Sequence, residues 1–384
     1  MNAIPYGRQW IDKDDIAAVA EVLDSELITQ GPKAEEFERK LCELTGAKYC
    51  VVLANGTAAL HLAVAALEIK KGLEGITSSN TFVATPNSLI YNGLKPVFAD
   101  IDPRTFCITP QTVKAKLTDK TKIVMPVHFA GQSADVKGIR ETVGKNIFIV
   151  EDAAHAIGSF DAQGNPVGSC RYSDAAILSF HPVKTITSGE GGAVTTNNPE
   201  IYEKLIQLRI GGITKKPELL SKNPGPWYYE MQRLGFNYRM TDFQAALGLS
   251  QLKKLEKFVA RRNEIILAYN TGLAGIKHLT LPYTPKELKS AFHLYVTRID
   301  FGALGINRAD FINALIAKYK IGTQVHYIPV HTQPYYRENF GCKDGDLPDT
   351  ENYYQCALSL PLYPKMTDAE VRHVIEHVKE FTDK

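Results

Sequence analysis

Short apolar runs rich in β-branched residues alternate with helical patterns through the first half of the chain. A helical pattern covers residues 57–69. The runs, which predict strands, occupy residues 49–53, 95–99, 122–127, 147–150, 175–179 and 193–196. Strands separated by helices are typical of a mostly parallel sheet covered by helices. The pattern therefore predicts an α/β fold built on such a sheet.

The pattern changes after a Pro/Gly-rich stretch at residues 223–227. A long amphipathic helix is predicted from residue 241 to about 269, and Thr367 and Glu370 have the spacing of a capping box at the start of the last helix. Between them the pattern predicts strands at 292–299 and 323–328, a helix at 307–320 and one further helical stretch. We therefore predict a large domain (1–240, including the N-terminal segment), an inter-domain helix (241–274) and a small α+β domain (275–384).

Composition narrows the classes of function. The 384 residues carry a formal net charge of +2 with both signs interspersed, which argues against nucleic-acid binding and against an acidic membrane surface. The six cysteines have neither disulfide nor metal-ligand spacing, so we expect no metal and a reducing cytoplasm. No signal-peptide pattern and no run of about 20 apolar residues is present, so we expect a soluble protein.

Lys184 is the first candidate for chemistry. The apolar run 175–178 leads into a polar, glycine-rich turn that carries this lysine. A desolvated, deprotonated lysine amine can attach an aldehyde cofactor. The alternative is an ordinary solvated lysine on a loop, and Lys184 alone does not decide between them.

Gly56 and Thr57 follow a predicted strand and open a predicted helix. Their free amides, the helix dipole and the Thr57 hydroxyl predict a phosphate cup. The alternative is an ordinary strand-to-helix turn.

Asp152 and His155 lie just past a buried-looking strand, where open α/β sheets bind ligands. A carboxylate such as Asp152 can stabilise a protonated pyridine ring as an electron sink, or it can cap the next turn. His155 can reach a cofactor hydroxyl, or it can be a core histidine. Phe82 offers an aromatic face to a flat ring, although it can equally be part of the core. An N-cap role for Thr241 explains only part of the polar stretch 235–242.

Taken together, these motifs resemble the DegT/DnrJ/EryC1/StrS sugar aminotransferases, which are fold-type I pyridoxal 5'-phosphate enzymes. The resemblance runs through essentially the whole chain. It implies a parallel-sheet large domain, a small C-terminal domain and a homodimer with active sites at the interface. It also implies that Lys184 attaches the cofactor, Asp152 pairs with the pyridinium and Phe82 stacks on the ring. The implied phosphate contacts are Gly56, Thr57 and Ser179 from one subunit and Asn237 from the other.

Several stretches carry a narrower resemblance, namely residues 4–7, 26–31, 75–78, 153–156 and 324–329. They resemble the subgroup that transfers an amino group from L-glutamate to a UDP-linked 4-keto-6-deoxy sugar in pseudaminic acid synthesis. His155 points to this subgroup because many other members have glutamine there. The resemblance implies nucleotide-sugar contacts from Tyr6, Thr29, His326 and Tyr327.

Two stretches depart from the relatives, residues 209–212 and 80–82. They leave open an aminotransferase for another nucleotide-linked keto-sugar. A dehydratase on the same scaffold is disfavoured because that branch has histidine where Lys184 stands, and a non-enzymatic sensor is disfavoured because Lys184 and Asp152 are both present. The sequence also leaves open whether His181 and Glu190 take part in chemistry or shape the loop.

Overall fold

The computed structural model describes residues 2–382. The strands are β1 Tyr49–Leu53, β2 Glu74–Ser78, β3 Lys95–Ala99, β4 Thr121–Met125, β5 Phe148–Asp152, β6 Ala175–Ser179, β7 Gly192–Thr196, β8 Ile213–Thr214, β9 Glu230–Met231, β10 Leu279–Thr280, β11 Tyr295–Ile299 and β12 Ala357–Leu360. The α-helices are α1 Lys13–Leu23, α2 Pro32–Thr45, α3 Gly56–Ala65, α4 Ala84–Tyr91, α5 Pro110–Lys114, α6 Val136–Val143, α7 Pro199–Arg209, α8 Asp242–Leu252, α9 Leu255–Gly272, α10 Arg308–Tyr319, α11 Pro334–Phe340, α12 Pro348–Cys356 and α13 Asp368–Thr382.

A seven-stranded sheet forms the centre of the larger part of the fold, in the order β1-β7-β6-β5-β4-β2-β3. The strands from β6 to β3 pair in parallel, whereas β7 is antiparallel to both of its neighbours. This arrangement confirms the predicted α/β fold class. It also places the carboxyl ends of β1, β5 and β6 along the same edge of the sheet, where ligands bind in folds of this type.

Alternate residues of each strand face opposite helical layers. In β1, Val51 and Leu53 pack with residues of α3 and α7, whereas Cys50 and Val52 pack with Phe37 of α2 and with residues of α8. This alternation follows from the two-residue period of a strand. Both faces are buried, which explains why the strands read as continuous apolar runs.

A three-stranded antiparallel sheet, β10-β11-β12, packs with α9, α10 and α13 in the C-terminal part. The N-terminal segment joins this part, because Ile4 N donates to Lys320 O at 2.9 Å and Gly322 N donates to Ile4 O at 2.7 Å. The domain boundaries at residues 240 and 274 stay a prediction. Residues 1, 383 and 384, at the outer ends of the predicted domains, lie outside the described residues. No helix in residues 2–382 is long and apolar enough to cross a bilayer.

Several local predictions differ from the structure. The sequence pattern predicts no strand at β2, β8, β9, β10 or β12. The long helix predicted from residue 241 is two helices, α8 and α9, separated by a turn at Lys253 and Lys254. The strand predicted at 323–328 was wrong. There the backbone makes only one bridge, from Gln324 to Ser359. Tyr353 Oη donates to His326 O, and Tyr327 N donates to Asn80 Oδ1, so side chains rather than a neighbouring strand bond these backbone groups.

Candidate active site

The turn after β1 and the end of β6 lie side by side. Gly192 of β7 pairs with Leu53 on one side and with Ser179 on the other. A Cβ added to Gly56 would lie 3.1 Å from Ser179 Oγ, and one added to Gly192 would lie 2.4 Å from Asn55 O. The two glycines therefore allow the N-terminus of α3 to approach Ser179 closely.

The first turn of α3 has hydrogen-bond donors that are not paired within the described chain. Asn55 caps the helix by accepting from Ala58 N at 2.8 Å. Within residues 2–382, the amides of Gly56 and Thr57 and the hydroxyls of Thr57 and Ser179 have no hydrogen-bond partner. Two amides at a helix N-terminus and two hydroxyls form a donor set that suits a phosphate group.

Lys184 lies on a turn after β6, with its amide donating to His181 O at 2.9 Å. Its side chain is half-buried. Burial lowers the pKa of Lys184 from its usual value to about 8, and the negative charge of Asp152 opposes that shift only partly. About a tenth of this amine is therefore deprotonated at pH 7, and attachment of an aldehyde requires that form.

Asp152 is the last residue of β5 and is buried. Thr85 of α4 donates to Asp152 Oδ2 at 2.6 Å, and Ala154 N donates to Asp152 Oδ1 at 3.1 Å. The carboxylate therefore caps a turn, as the alternative for Asp152 supposed. It also lies close enough to Lys184 to influence the lysine amine.

A cluster of aromatic and imidazole rings lies next to Lys184. His155 Nε2 lies 3.0 Å from Tyr327 Oη, and His326 Nδ1 lies 2.8 Å from Ser359 Oγ. Burial, followed by the charge of Lys184, lowers the pKa of His326 to about 3. Burial lowers the pKa of His155 well below its usual value, and Lys184 and His326 add to this. Both imidazoles are therefore neutral at neutral pH.

Tyr6 and Phe82 complete this cluster from two sides. The Tyr6 ring lies 5.5 Å from that of His326, and the Phe82 ring lies 6.4 Å from that of Tyr327, between ring centroids. Phe82 is 57% exposed, so it is not part of the core. The site is open to solvent on the side where Phe82 lies.

Two predicted contacts lie away from this cluster. Thr29 forms a bridge with Thr241 at the start of α8, and no hydrogen bond joins it to Lys184 in the described chain. Asn237 pairs with Ile210, and the next residue, Tyr238, accepts from Ala54 N at 2.9 Å. The backbone at Asn237 is therefore near the start of α3, although no hydrogen bond links its side chain to Ser179, Gly56 or Thr57.

The sequence analysis did not identify several residues that surround this site. Thr85 holds Asp152, Asn80 Oδ1 accepts from Tyr327 N at 3.4 Å, and the ring of His293 lies 4.4 Å from that of His155. Among these residues, only Thr85 had a signal in the sequence, namely its position three residues after Phe82. His181 Nδ1 accepts from Val183 N at 3.4 Å, a contact within the turn.

These residues fit pyridoxal 5'-phosphate by the chemistry of their donors. The helix N-terminus and Ser179 suit its phosphate, the Asp152 carboxylate suits its pyridine nitrogen, and the lowered pKa of Lys184 suits its aldehyde. Within residues 2–382, no group of three or more His, Cys, Asp or Glu side chains is arranged to hold a metal ion.

The chain is similar to known proteins over nearly its whole length. Residues 9–379 match the model of the DegT/DnrJ/EryC1/StrS aminotransferase family. The spore coat polysaccharide biosynthesis protein SpsC of Bacillus subtilis is 42% identical over 378 residues, which are 98% of this chain and 96% of SpsC.

Solved structures are also similar. Helicobacter pylori PseC, an aminotransferase involved in the biosynthesis of pseudoaminic acid, superposes with a TM-score of 0.91 at 31% identity over 100% of both chains. Spr1654 of Streptococcus pneumoniae in its PLP form has a TM-score of 0.91 at 32% identity over 99% of both chains.

The matched family is the one that the sequence motifs predicted. Membership confirms the enzyme class, the fold type and the use of pyridoxal phosphate. The chain belongs to the DegT/DnrJ/EryC1/StrS aminotransferase family.

Proposed function

We propose that this enzyme transfers the amino group of L-glutamate to the C4 keto group of a UDP-linked 4-keto-6-deoxy-N-acetylhexosamine, as a step of pseudaminic acid synthesis in the cytoplasm. The observation that carries the aminotransferase chemistry is Lys184, whose pKa is lowered to about 8 beside Asp152. The substrate proposal is supported by the cluster of Tyr6, His326 and Tyr327 and by the likeness to PseC. All six cysteines are free thiols, which is compatible with a reducing compartment.

Each cofactor contact has a separate role in this proposal. Gly56, Thr57 and Ser179 bind the phosphate group, Asp152 keeps the pyridine nitrogen protonated, and Phe82 stacks on the ring. Pyridoxal phosphate, when bound, supplies an electron sink for negative charge at the reacting carbon. His155, whose Nε2 lies 3.0 Å from Tyr327 Oη, would contribute to cofactor binding through that tyrosine.

Lys184 is the group that moves protons. Its neutral amine removes the Cα proton of L-glutamate. Water supplies the keto oxygen of the 2-oxoglutarate that leaves, and the amino group is retained in the site. In the second half-reaction the same Nζ delivers a proton to C4 of the sugar, so the keto group is replaced by an amine and water is released. Tyr6, Thr29, His326 and Tyr327 bind the nucleotide sugar in this proposal.

A homodimer would cover the open side of the site. The described chain exposes large apolar side chains in the stretch before Asn237, at Trp227, Tyr229, Met231 and Leu234, and also at Leu27, Ile28 and Phe82. Exposed apolar surface of this extent favours a protein interface. We propose that Asn237 reaches the cofactor phosphate of the partner subunit, and light scattering of the purified protein would measure the mass of the assembly.

A second candidate is an aminotransferase for another nucleotide-linked keto-sugar. Asn80 lies in a stretch that departs from the subgroup, and its side chain contacts the backbone of Tyr327. The departure therefore lies beside the proposed sugar site, where it can change which sugar is accepted. A dehydratase is less favoured because Lys184 is present.

The visible spectrum of the purified holoenzyme tests these proposals in order. We expect a band from the lysine-linked cofactor that disappears when L-glutamate is added, with one equivalent of 2-oxoglutarate formed. UDP-, dTDP- and other nucleotide-linked 4-keto sugars are then supplied, and the product is identified by mass spectrometry. Formation of an amino sugar only from a sugar linked to another nucleotide would contradict the UDP proposal. A deaminated or dehydrated product would favour the dehydratase. Turnover by Lys184→Ala would contradict the role of the lysine.

A further inference from the structure

We infer that Ala130 and His155 orient Tyr327, so that its hydroxyl acts as a fixed hydrogen-bond donor to an acceptor oxygen of the bound ligand. This inference rests on the proposed function, because it needs a ligand next to Lys184. It assigns roles to Ala130 and His293, which have none in the proposed reaction, and it gives Tyr327 a direction of hydrogen bonding.

The tautomer of His155 follows from one contact. Ala130 N lies 3.3 Å from His155 Nδ1, with the amide hydrogen directed at the ring nitrogen. A backbone amide can only donate, so Nδ1 must be the unprotonated nitrogen. An imidazolium ring has protons on both nitrogens and cannot accept this bond. The ring is therefore neutral, and its one proton lies on Nε2.

The direction of the next hydrogen bond follows in turn. Nε2 is 3.0 Å from Tyr327 Oη, so His155 donates and the tyrosine oxygen accepts. Among the described residues Tyr327 Oη has no other partner, and burial together with the nearby Asp152 and Tyr6 raises the pKa of Tyr327. The hydroxyl therefore keeps its proton and can only offer it to a ligand.

The carbonyl group of Ala130, which belongs to the peptide after the one that carries its N–H, is held by the segment that leads into β11. His293 N and Leu294 N donate to Ala130 O at 2.9 and 3.4 Å. The next residue, Gly131, has φ +98, and a Cβ there would lie 2.9 Å from Phe292 N. The close approach fixes the Ala130 amide relative to the ring that it bonds.

The His293 ring restricts the plane of the His155 ring. The two ring centroids are 4.4 Å apart with an interplanar angle of 46°, and both rings are buried. Together with the Ala130 hydrogen bond, this contact leaves His155 little freedom to rotate. Ala130, His155 and His293 are therefore positioning residues, and Tyr327 is the residue that touches the ligand.

Two ligand oxygens have the required chemistry, the ring oxygen of the cofactor and the keto oxygen of the sugar. Tyr327 lies near both proposed regions, since Phe82 and Tyr6 are its neighbours. Both oxygens accept hydrogen bonds. The cofactor oxygen is present before any substrate is added, whereas the sugar oxygen enters only in the second half-reaction. Measurements without and with the sugar therefore distinguish them.

His155→Gln, His155→Leu and Tyr327→Phe test the inference. A glutamine amide can also accept from Ala130 N–H with its oxygen and donate to Tyr327 with its nitrogen, whereas leucine can do neither. We expect the rate of His155→Gln to stay within about threefold of the wild-type rate. We expect His155→Leu and Tyr327→Phe to lose tenfold or more in the same step, a loss that corresponds to about 1.4 kcal/mol. Tyr335→Phe, at an exposed tyrosine outside the site, is the matched control.

The step that changes identifies the oxygen. If Tyr327 donates to the cofactor, the pH midpoint of the visible band shifts in His155→Leu and Tyr327→Phe before any substrate is added. If it donates to the sugar, the band and the glutamate half-reaction stay at wild-type values and only the keto-sugar half-reaction slows. Wild-type behaviour of Tyr327→Phe in both arms, or equal losses in His155→Gln and His155→Leu, would overturn the inference.

The tautomer can be measured without turnover. In protein labelled with ¹⁵N-histidine, the ring nitrogen shifts of His155 are assigned by their loss in His155→Gln. We expect a protonated Nε2 and an unprotonated Nδ1, and a protonated Nδ1 would overturn the inference. A holoenzyme that does not react with glutamate would instead contradict the proposed function, and it would leave this measurement valid.

Discussion

Thr85 Oγ1 donates a hydrogen bond of 2.6 Å to Asp152 Oδ2, and both residues are buried. The Thr85 hydroxyl also lies 2.8 Å from Thr81 Oγ1. Helix α4 therefore orients the carboxylate at the end of β5. A carboxylate that accepts hydrogen bonds from fixed donors is stabilised in its charged form, as pairing with a pyridinium requires.

Thr85→Val should reduce the rate of the glutamate half-reaction about tenfold while the protein still binds the cofactor. Valine keeps the shape of threonine and removes the donor, and a hydrogen bond to a charged group is worth about 1.5–3 kcal/mol. Stopped-flow decay of the visible band measures the rate. Thr85→Ser retains the hydroxyl and should stay near wild type, so equal losses in both variants would contradict a role for the hydrogen bond.

Attachment of pyridoxal phosphate to the apoenzyme should become faster as the pH rises through about 8. Burial lowers the pKa of Lys184 to about 8, and only the deprotonated amine, which predominates above that pH, attacks the aldehyde. The rate at pH 7 should be about one tenth of the plateau value, because one pH unit below a pKa leaves about a tenth of the group deprotonated. Growth of the visible band between pH 6.5 and 9.5 measures this rate, and a rate that still rises steeply above pH 10 would indicate an unshifted lysine.

Local patterns predicted strands whose sequences are nearly continuous apolar runs. The run at β6, residues 175–179, is apolar except for Ser179, and the predicted bounds agree with the structure. Strand β2 was not predicted because its sequence, Glu-Gly-Ile-Thr-Ser, has no apolar pattern. It is a strand because it pairs in parallel with both β3 and β4, a long-range cause that a local pattern does not contain.

The candidate site likewise contains residues that local sequence patterns indicate and residues that only long-range contacts bring to the site. Motifs next to strand ends indicated Gly56, Asp152 and Lys184, because the fold class places such ends together. Thr85, Ala130 and His293 act through contacts with these motifs, and no local spacing marks Ala130 or His293. The predicted strand 323–328 failed because its alternating pattern resembles a strand, whereas His326 and Tyr327 use their backbone and side-chain groups in contacts with Ser359, Asn80 and Tyr353.

Gly192→Ala should weaken cofactor binding and lower the melting temperature. The new Cβ would lie 2.4 Å from Asn55 O and 2.9 Å from Gly56 N, so the backbone of the phosphate cup must move. Such overpacking costs about 1–3 kcal/mol. Equilibrium titration of the apoenzyme with pyridoxal phosphate and thermal unfolding measure the two effects.

Gly302→Ala is the matched control for Gly192→Ala. The nearest atom to its new Cβ is Asp300 Oδ1 at 3.5 Å, an ordinary contact, and its φ is not in the left-handed region. It should change neither quantity. Wild-type cofactor affinity in Gly192→Ala would show that the phosphate cup does not depend on this close approach.

Asp242→Ala should raise the KM for the nucleotide sugar and leave the rate of the glutamate half-reaction near wild type. Asp242 is fully buried, and its carboxylate accepts from Gly31 N and Lys33 N, both at 2.7 Å. It therefore caps α2 from a distance, in place of Gly31, which has no side chain to do so. The same contacts fix the loop that carries Thr29, whereas Lys184 and Asp152 form no hydrogen bond with that loop in the described chain.

The loss of these two hydrogen bonds should also lower the melting temperature, because both amides become unsatisfied and hydrogen bonds to a charged group are worth about 1.5–3 kcal/mol each. Asp242→Asn should be intermediate, since its amide oxygen can still accept from one of the two backbone donors. Asp119→Asn, at an exposed aspartate, controls for the loss of charge. If Asp242→Ala lowers the melting temperature but leaves the KM for the sugar unchanged, the loop is stabilised by Asp242 without binding the nucleotide sugar, and Thr29 would have no role as a substrate contact.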